Sequence, residues 1–166
     1  MEQDTKIYEY FLNPGELIFS LKPIVVKTVL GSCVAVFIHD KYLHIGGVCH
    51  YLLPSAPPDL KSTKYGDVAI YTLLAKFRQH GSKREDLVAT LAGGAFIIFD
   101  EREIFFIGDK NIDMALEILR KEGIKIKQMW TGGEHGKRVV YNTATNKIIV
   151  ETLETITLAD LYRADF

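Results

Sequence analysis

The sequence predicts a sheet-rich α/β sandwich with two or three helices packed outside the sheets. Short apolar runs bounded by Pro, Gly or Asp recur from Glu16 to Leu53 and again from Ile124 to Leu153, giving roughly seven or eight strands. Two amphipathic stretches at helical spacing lie between those groups. The composition, 48% hydrophobic and 25% charged over 166 residues, is that of one ordinary globular domain, so the whole chain 1–166 is taken as a single domain.

The elements follow in order. Glu16–Leu21 is a strand after the turn-forming Pro14-Gly15, and Ile24–Leu30 is a second after Pro23. Gly31-Ser32 interrupts the pattern before Cys33–Ile38 resumes it. A turn at Asp40–Tyr42 leads into the apolar run Leu43–Leu53, which Pro54 ends. Ser55–Thr63, with Pro57-Pro58, is an irregular loop. The first helix carries Ile70, Leu73, Leu74 and Phe77, with Gly81 where a C-terminal cap belongs. The second carries Ile112, Ala115, Leu116 and Leu119, with Gly123 in the same role. Leu87–Leu91 and Glu103–Ile107 are strands flanking Gly93-Gly94. Ile124–Trp130, Arg138–Tyr141 and Ile148–Leu153 complete the strands, and Thr157–Phe166 makes a short terminal helix.

Charge excludes some classes of function. Twenty Lys and Arg stand against 21 Asp and Glu, too balanced for a protein that grips nucleic acid through phosphates. No run reaches the roughly 18 apolar residues of a membrane helix, so no membrane insertion is expected. The polar, acidic Met1–Thr5 does not resemble a secretory signal, and two free cysteines suit a reducing compartment. A cytoplasmic location is expected.

The chemistry concentrates in Leu30-Gly31-Ser32-Cys33-Val34-Ala35-Val36 and Gly46-Gly47-Val48-Cys49-His50-Tyr51. A cysteine nucleophile needs a base, and imidazole titrates in the useful range. A hairpin centred between Lys41 and Tyr42 would set Cys33 directly opposite His50, on one face of the sheet. Gly31-Ser32 would let the backbone turn sharply and leave N–H groups for a developing oxyanion. The plainer reading stands beside this: a cysteine in an apolar strand is commonly inert core, and a neighbouring histidine merely hydrogen-bonded. Cys49 alternates with His50 and belongs to the core. A zinc site from Cys33, Cys49 and His50 lacks a fourth ligand, so no metal is expected. Gly132-Gly133-Glu134-His135-Gly136-Lys137-Arg138 departs from the phosphate-loop spacing and precedes a strand, which makes it a structural turn. Gly93-Gly94 lets two backbones approach closely. His39, His44 and His80 fall at turns or element ends, where they are expected to be solvated; His135 lies in a loop.

Leu30–Val36, the Cys-to-His spacing and the run from Val48 to Pro54 resemble the CheD family of bacterial chemoreceptor glutamine deamidases. Asn13-Pro14-Gly15-Glu16-Leu17 is similar to the family's N-terminal turn, and Leu91-Ala92-Gly93-Gly94-Ala95 to its central glycine pair. Gly108-Asp109-Lys110-Asn111 resembles the start of its second helix, and Gly132 through Val150 its C-terminal hairpin. The resemblance covers about residues 8–153, leaving 154–166 as an extension.

The resemblance implies an α/β sandwich shared with toxin-type deamidases, and a cysteine hydrolase converting protein glutamine to glutamate without cofactor. It implies Cys33 and His50 as catalytic residues. The family's third residue, a threonine, aligns with Lys27, and Thr28 is its neighbour. On an extended strand those two face opposite sides, so Thr28 would serve only if a bulge or the Gly31 turn re-aims it. Asn146 stands where the family has a glycine in the last hairpin turn, and Asn also tolerates positive φ. The implied substrates are chemoreceptor cytoplasmic domains, modified through a thioester. The alternative is a regulatory module with weak or no deamidase activity that binds a CheC-type phosphatase of the chemotaxis response regulator. A cysteine peptidase or transamidase would use the same dyad.

Overall fold

The computed structural model of the protein describes residues 7–97, 106–154 and 162. Strands β1 (Tyr8–Phe11), β2 (Leu17–Ser20), β3 (Ile24–Leu30), β4 (Val34–Asp40) and β5 (Ile45–Tyr51) precede helix α1 (Gly66–Gln79). A short 3-10 turn, Arg84–Asp86, leads into β6 (Leu87–Gly93). Helix α2 (Ile107–Lys121) and strands β7 (Lys125–Thr131), β8 (Lys137–Asn142) and β9 (Ile148–Thr152) follow.

The strands form two sheets, ordered β1-β3-β8-β9 and β2-β5-β4-β6-β7. One apolar layer lies between them, where Val26, Leu30, Val139 and Tyr141 meet Ala35, Phe37, Val48 and Ala92. The opposite face of the five-stranded sheet carries Val34, Val36, Ile38, Cys49 and Leu91, packed against Ile70, Leu73, Phe77, Ala115 and Leu119 of the helices. The protein is therefore a sandwich of sheet, sheet and helices. This explains why all seven residues of β4 and of β5 are buried: both faces of these strands are covered. Gly81 (φ +88°) and Gly123 (φ +69°) close the helices as their spacing predicts.

Several expectations shift. Strand β1 pairs parallel with β3 from Tyr8 to Phe11, a pairing that its short, largely exposed segment does not announce. The strand expected at Glu103–Ile107 falls mostly outside the described residues, and its last residue, Ile107, opens α2 instead. The terminal helix expected over Thr157–Phe166 also lies outside them, Tyr162 excepted. His39 is buried, not solvated, because it lies within β4, one residue before its end, on the face turned to the layer between the sheets, with Nε2 3.0 Å from the Ala144 carbonyl. His44 and His80 are exposed, as expected. Asn146 takes a positive φ of 61°, which its side chain tolerates.

Candidate active site

The chain crosses from one sheet to the other between Leu30 and Val34, and Cys33 sits on that crossing. The crossing is pinned from the side of α2. Gly94 N–H donates to the Cys33 carbonyl at 2.8 Å, and Ala95 N–H to the Gly31 carbonyl at 3.0 Å. Gly93, with φ +100°, lies so close to the Cys33 carbonyl that any Cβ there would collide with it. The glycine pair thus serves the close approach its sequence predicts. Gly132 and Gly133, both at positive φ, carry the chain from β7 toward β8, and the Gly132 N–H is taken by the Gly93 carbonyl at 3.0 Å. That segment is a structural turn.

The hairpin that brings His50 back is one step wider than the sequence suggests. Ala35 pairs with His50 and Val34 with Tyr51, which puts the turn's centre between Tyr42 and Leu43. The cause is Asp40, whose Oδ1 accepts from the N–H groups of both Tyr42 and Leu43 at 2.9 Å, while its carbonyl accepts from His44 N–H. Cys33 is therefore diagonal to His50 rather than directly opposite, a relationship in which Cα atoms on one face lie about 7–8 Å apart. The pairing has moved by two positions, so the face is unchanged. Cys33, Ala35 and Phe37, like Val48 and His50 on β5, face the layer between the sheets. Cys49 faces the helices, in the core as expected.

Thr28 reaches His50 across that layer. Its Oγ1 lies 2.8 Å from His50 Nδ1 and donates to the Leu12 carbonyl at 2.9 Å. No bulge is needed, contrary to the sequence expectation: β3 pairs without a break from Val25 to Leu30 against β8, and Thr28 belongs to its inward face with Val26 and Leu30. Lys27 points the other way and pairs with Glu9 at 3.2 Å. The hydroxyl has one proton and spends it on Leu12, so the contact with His50 is one in which Nδ1–H donates. The Nε2 atom is then the bare nitrogen. It is buried and has no hydrogen-bond partner among the described residues.

Burial sets the electrostatics. It pushes the His50 imidazole down to about 3, opposed by the Leu12 carbonyl. The same cause pushes the Cys33 thiol up to about 11, opposed by its own backbone N–H, and Cys49 up to about 12. An imidazolium that would lower the Cys33 pKa is thus absent from the resting site, which holds a neutral thiol and a neutral imidazole. Cys33 remains 7% exposed and Cys49 0%, so of the two cysteines only Cys33 keeps any exposure to solvent.

One polar residue near the site has no role in the sequence reading. Asn111, buried on α2, reaches Ser32 and Leu52 on either side of the Cys33 and His50 positions. The signal was available, since Asn111 precedes Ala115 by four residues and so puts an amide on the apolar face of the helix. Among the described residues no group of three or more His, Cys, Asp or Glu is placed to hold a metal ion, and no helix is long and apolar enough to cross a membrane.

The profile of a family described as CheD chemotactic sensory transduction matches residues 52–152. A protein of Rhodospirillum rubrum is 38% identical over 91% of this chain and 86% of its own length. One of Sulfurimonas denitrificans is 36% identical over 87% and 94%, and one of Methanococcus vannielii 36% over 82% and 90%. Each of the three bears the name "Probable chemoreceptor glutamine deamidase CheD". The profile spans more than half of the chain, and these relatives extend the likeness across the crossing that holds Cys33: the chain belongs to the CheD family.

Proposed function

We propose that the protein deamidates glutamine side chains of chemoreceptor cytoplasmic domains, with Cys33 as nucleophile, His50 as base and acid, and Thr28 as the residue that orients His50. The observation that carries this is the unpartnered Nε2 of buried His50, a bare nitrogen on the same inter-sheet face as the partly accessible Cys33, with its tautomer set by Thr28. The names of the relatives supply the substrate class.

The steps follow from two neutral groups. Cys33 Sγ attacks the glutamine Cδ as its proton passes to His50 Nε2, and the amide oxygen becomes an oxyanion held by backbone N–H groups at Ser32 and Cys33. The tetrahedral carbon collapses, the C–N bond breaks, and the His50 proton leaves with nitrogen as ammonia. A water then gives His50 its proton while attacking the thioester. The C–S bond breaks, Cys33 recovers the proton, and glutamate is released. Burial suits this sequence, because charge then develops, as an oxyanion beside an imidazolium, only once substrate is in place.

The position of Thr28 beside His50, with Lys27 turned to the other face, favours an enzyme over a purely regulatory binding module. The test is mass spectrometry of a receptor cytoplasmic fragment after incubation with the protein. Shifts of about +1 Da at glutamines, with ammonia released and no new termini, are expected for amide hydrolysis. New peptide termini would indicate a peptidase, and an unchanged fragment would overturn the proposal.

A further inference from the structure

We propose that Asn111 is a positioning residue for the oxyanion site, holding the Ser32–Cys33 peptide so that the Cys33 N–H faces the reacting carbonyl oxygen. This rests on the reading of Cys33 as nucleophile and adds a residue from outside the two strands that carry the site. Asn111 Nδ2 donates to the Ser32 carbonyl at 3.0 Å and to the Leu52 carbonyl at 2.9 Å. Two carbonyl oxygens can be met only by an NH₂ group, so the amide's orientation is fixed, and its Oδ1 is left buried without a donor among the described residues. The Asn111 backbone carbonyl in turn accepts from the Tyr51 hydroxyl, next to His50.

The consequence comes from peptide geometry. The Ser32 carbonyl and the Cys33 N–H belong to one planar peptide, which is trans, so the two bonds point in opposite directions. Anchoring the carbonyl on α2 turns the N–H away from the helix. A carbonyl that accepts a hydrogen bond also leaves its own N–H a stronger donor. That N–H belongs to the residue whose sulphur is the atom from which the tetrahedral intermediate grows. The carbonyls of Gly31, Ser32 and Cys33 are each held in this way, but Ala95 and Gly94 use backbone N–H groups and Asn111 alone uses a side chain. Only the middle peptide, the one that presents the N–H of Cys33, can be released by substitution.

The test compares two reactions of Cys33 in the full chain. Deamidation builds an oxyanion, whereas alkylation by iodoacetamide displaces iodide at carbon and builds none. For Asn111→Asp, which keeps the shape and replaces the two N–H donors by a carboxyl with one O–H at most, kcat should fall roughly 10- to 100-fold. KM and the rate of Cys33 alkylation should stay within about threefold of the parent. Asn111→Ser, with one donor and no orphaned oxygen, should recover part of the loss, and it supplies the same comparison if Asn111→Asp does not fold. Parallel loss of deamidation and alkylation would make Asn111 a general structural support and overturn the proposal, as would an unchanged kcat. Failure of the underlying reading is separate: it would show as activity retained by Cys33→Ala, whatever Asn111 does.

Discussion

Thr28 Oγ1 and His50 Nδ1 lie 2.8 Å apart across the two sheets, and the same hydroxyl is committed to the Leu12 carbonyl at 2.9 Å. A single oxygen therefore decides which imidazole nitrogen carries the proton. Nδ1–H faces Thr28, and Nε2 is the bare atom in the layer shared with Cys33. Thr28→Ala should lower kcat by roughly 10- to 100-fold, because the imidazole can then take the wrong tautomer or rotate. Thr28→Ser should retain most of the turnover. The stability cost of the alanine should be about 1 kcal/mol, for one lost hydrogen bond. Wild-type kcat in Thr28→Ala, with its fold verified by circular dichroism, would show a Cys33–His50 dyad that needs no orienting residue.

Lys27 is the contrasting neighbour. Its ammonium pairs with Glu9 at 3.2 Å on the outer face of the four-stranded sheet, away from His50. Lys27→Ala should leave kcat within about twofold and change stability by at most about 1 kcal/mol, as for an exposed ion pair. A large loss of kcat in Lys27→Ala, with Thr28→Ala unaffected, would mean that the inward face of β3 is assigned backwards.

The two cysteines should separate cleanly. Cys33→Ala should abolish deamidation and leave the fold intact, whereas Cys49→Ala should keep activity and lose stability through its packing in the helix-facing core. Iodoacetamide should label Cys33 before Cys49, since only Cys33 keeps any exposure to solvent. With the thiol near 11, the labelling rate should rise about tenfold per pH unit between pH 7 and 9. His50→Ala should not slow it at pH 7, because a neutral imidazole does not stabilise a thiolate. Fast labelling at pH 7 that disappears in His50→Ala would reveal a preformed ion pair instead.

Much of this site was legible in the sequence because it is local. The limits of β3, the break at Gly31-Ser32 and the two glycine-capped helices follow from turn chemistry and periodicity within a few residues. The centre of the β4–β5 hairpin was missed by one residue, and its register by two, because Asp40 holds two N–H groups at once and widens the turn, a side-chain effect that spacing does not reveal. It cost little, since a displacement of two positions preserves the face. What stayed hidden is whatever depends on a second element. Thr28 meets His50 only because two sheets stack, the Leu12 carbonyl enters from the segment after β1, and Asn111 arrives from α2. The sign of the Cys33 shift was hidden for the same reason: burial in the assembled sandwich outweighs any effect of the neighbouring imidazole.

The pH dependence tests the buried, neutral His50 most directly. An imidazole with an ordinary pKa near 6.5 would impose an acid limb there on kcat/KM, as the base became protonated. With the His50 pKa pushed down to about 3, the base stays unprotonated far below that point, so kcat/KM should show no limb between pH 5 and 8. Stability should behave differently. In the unfolded chain His50 binds a proton below about pH 6.5, while in the folded chain it does not until about 3, so the unfolded state holds more protons throughout that window. Stability is thus fully present above pH 6.5 and falls on acidification, by up to about 1.4 kcal/mol per pH unit from this group. Buried His39, whose pKa burial also lowers, adds in the same sense. Urea unfolding at pH 7.5, 6 and 5 should show the decline, and His50→Gln should flatten it. A limb near pH 6.5 in kcat/KM, together with a stability that does not change from pH 7.5 to 5, would mean that His50 is open to solvent and titrates normally.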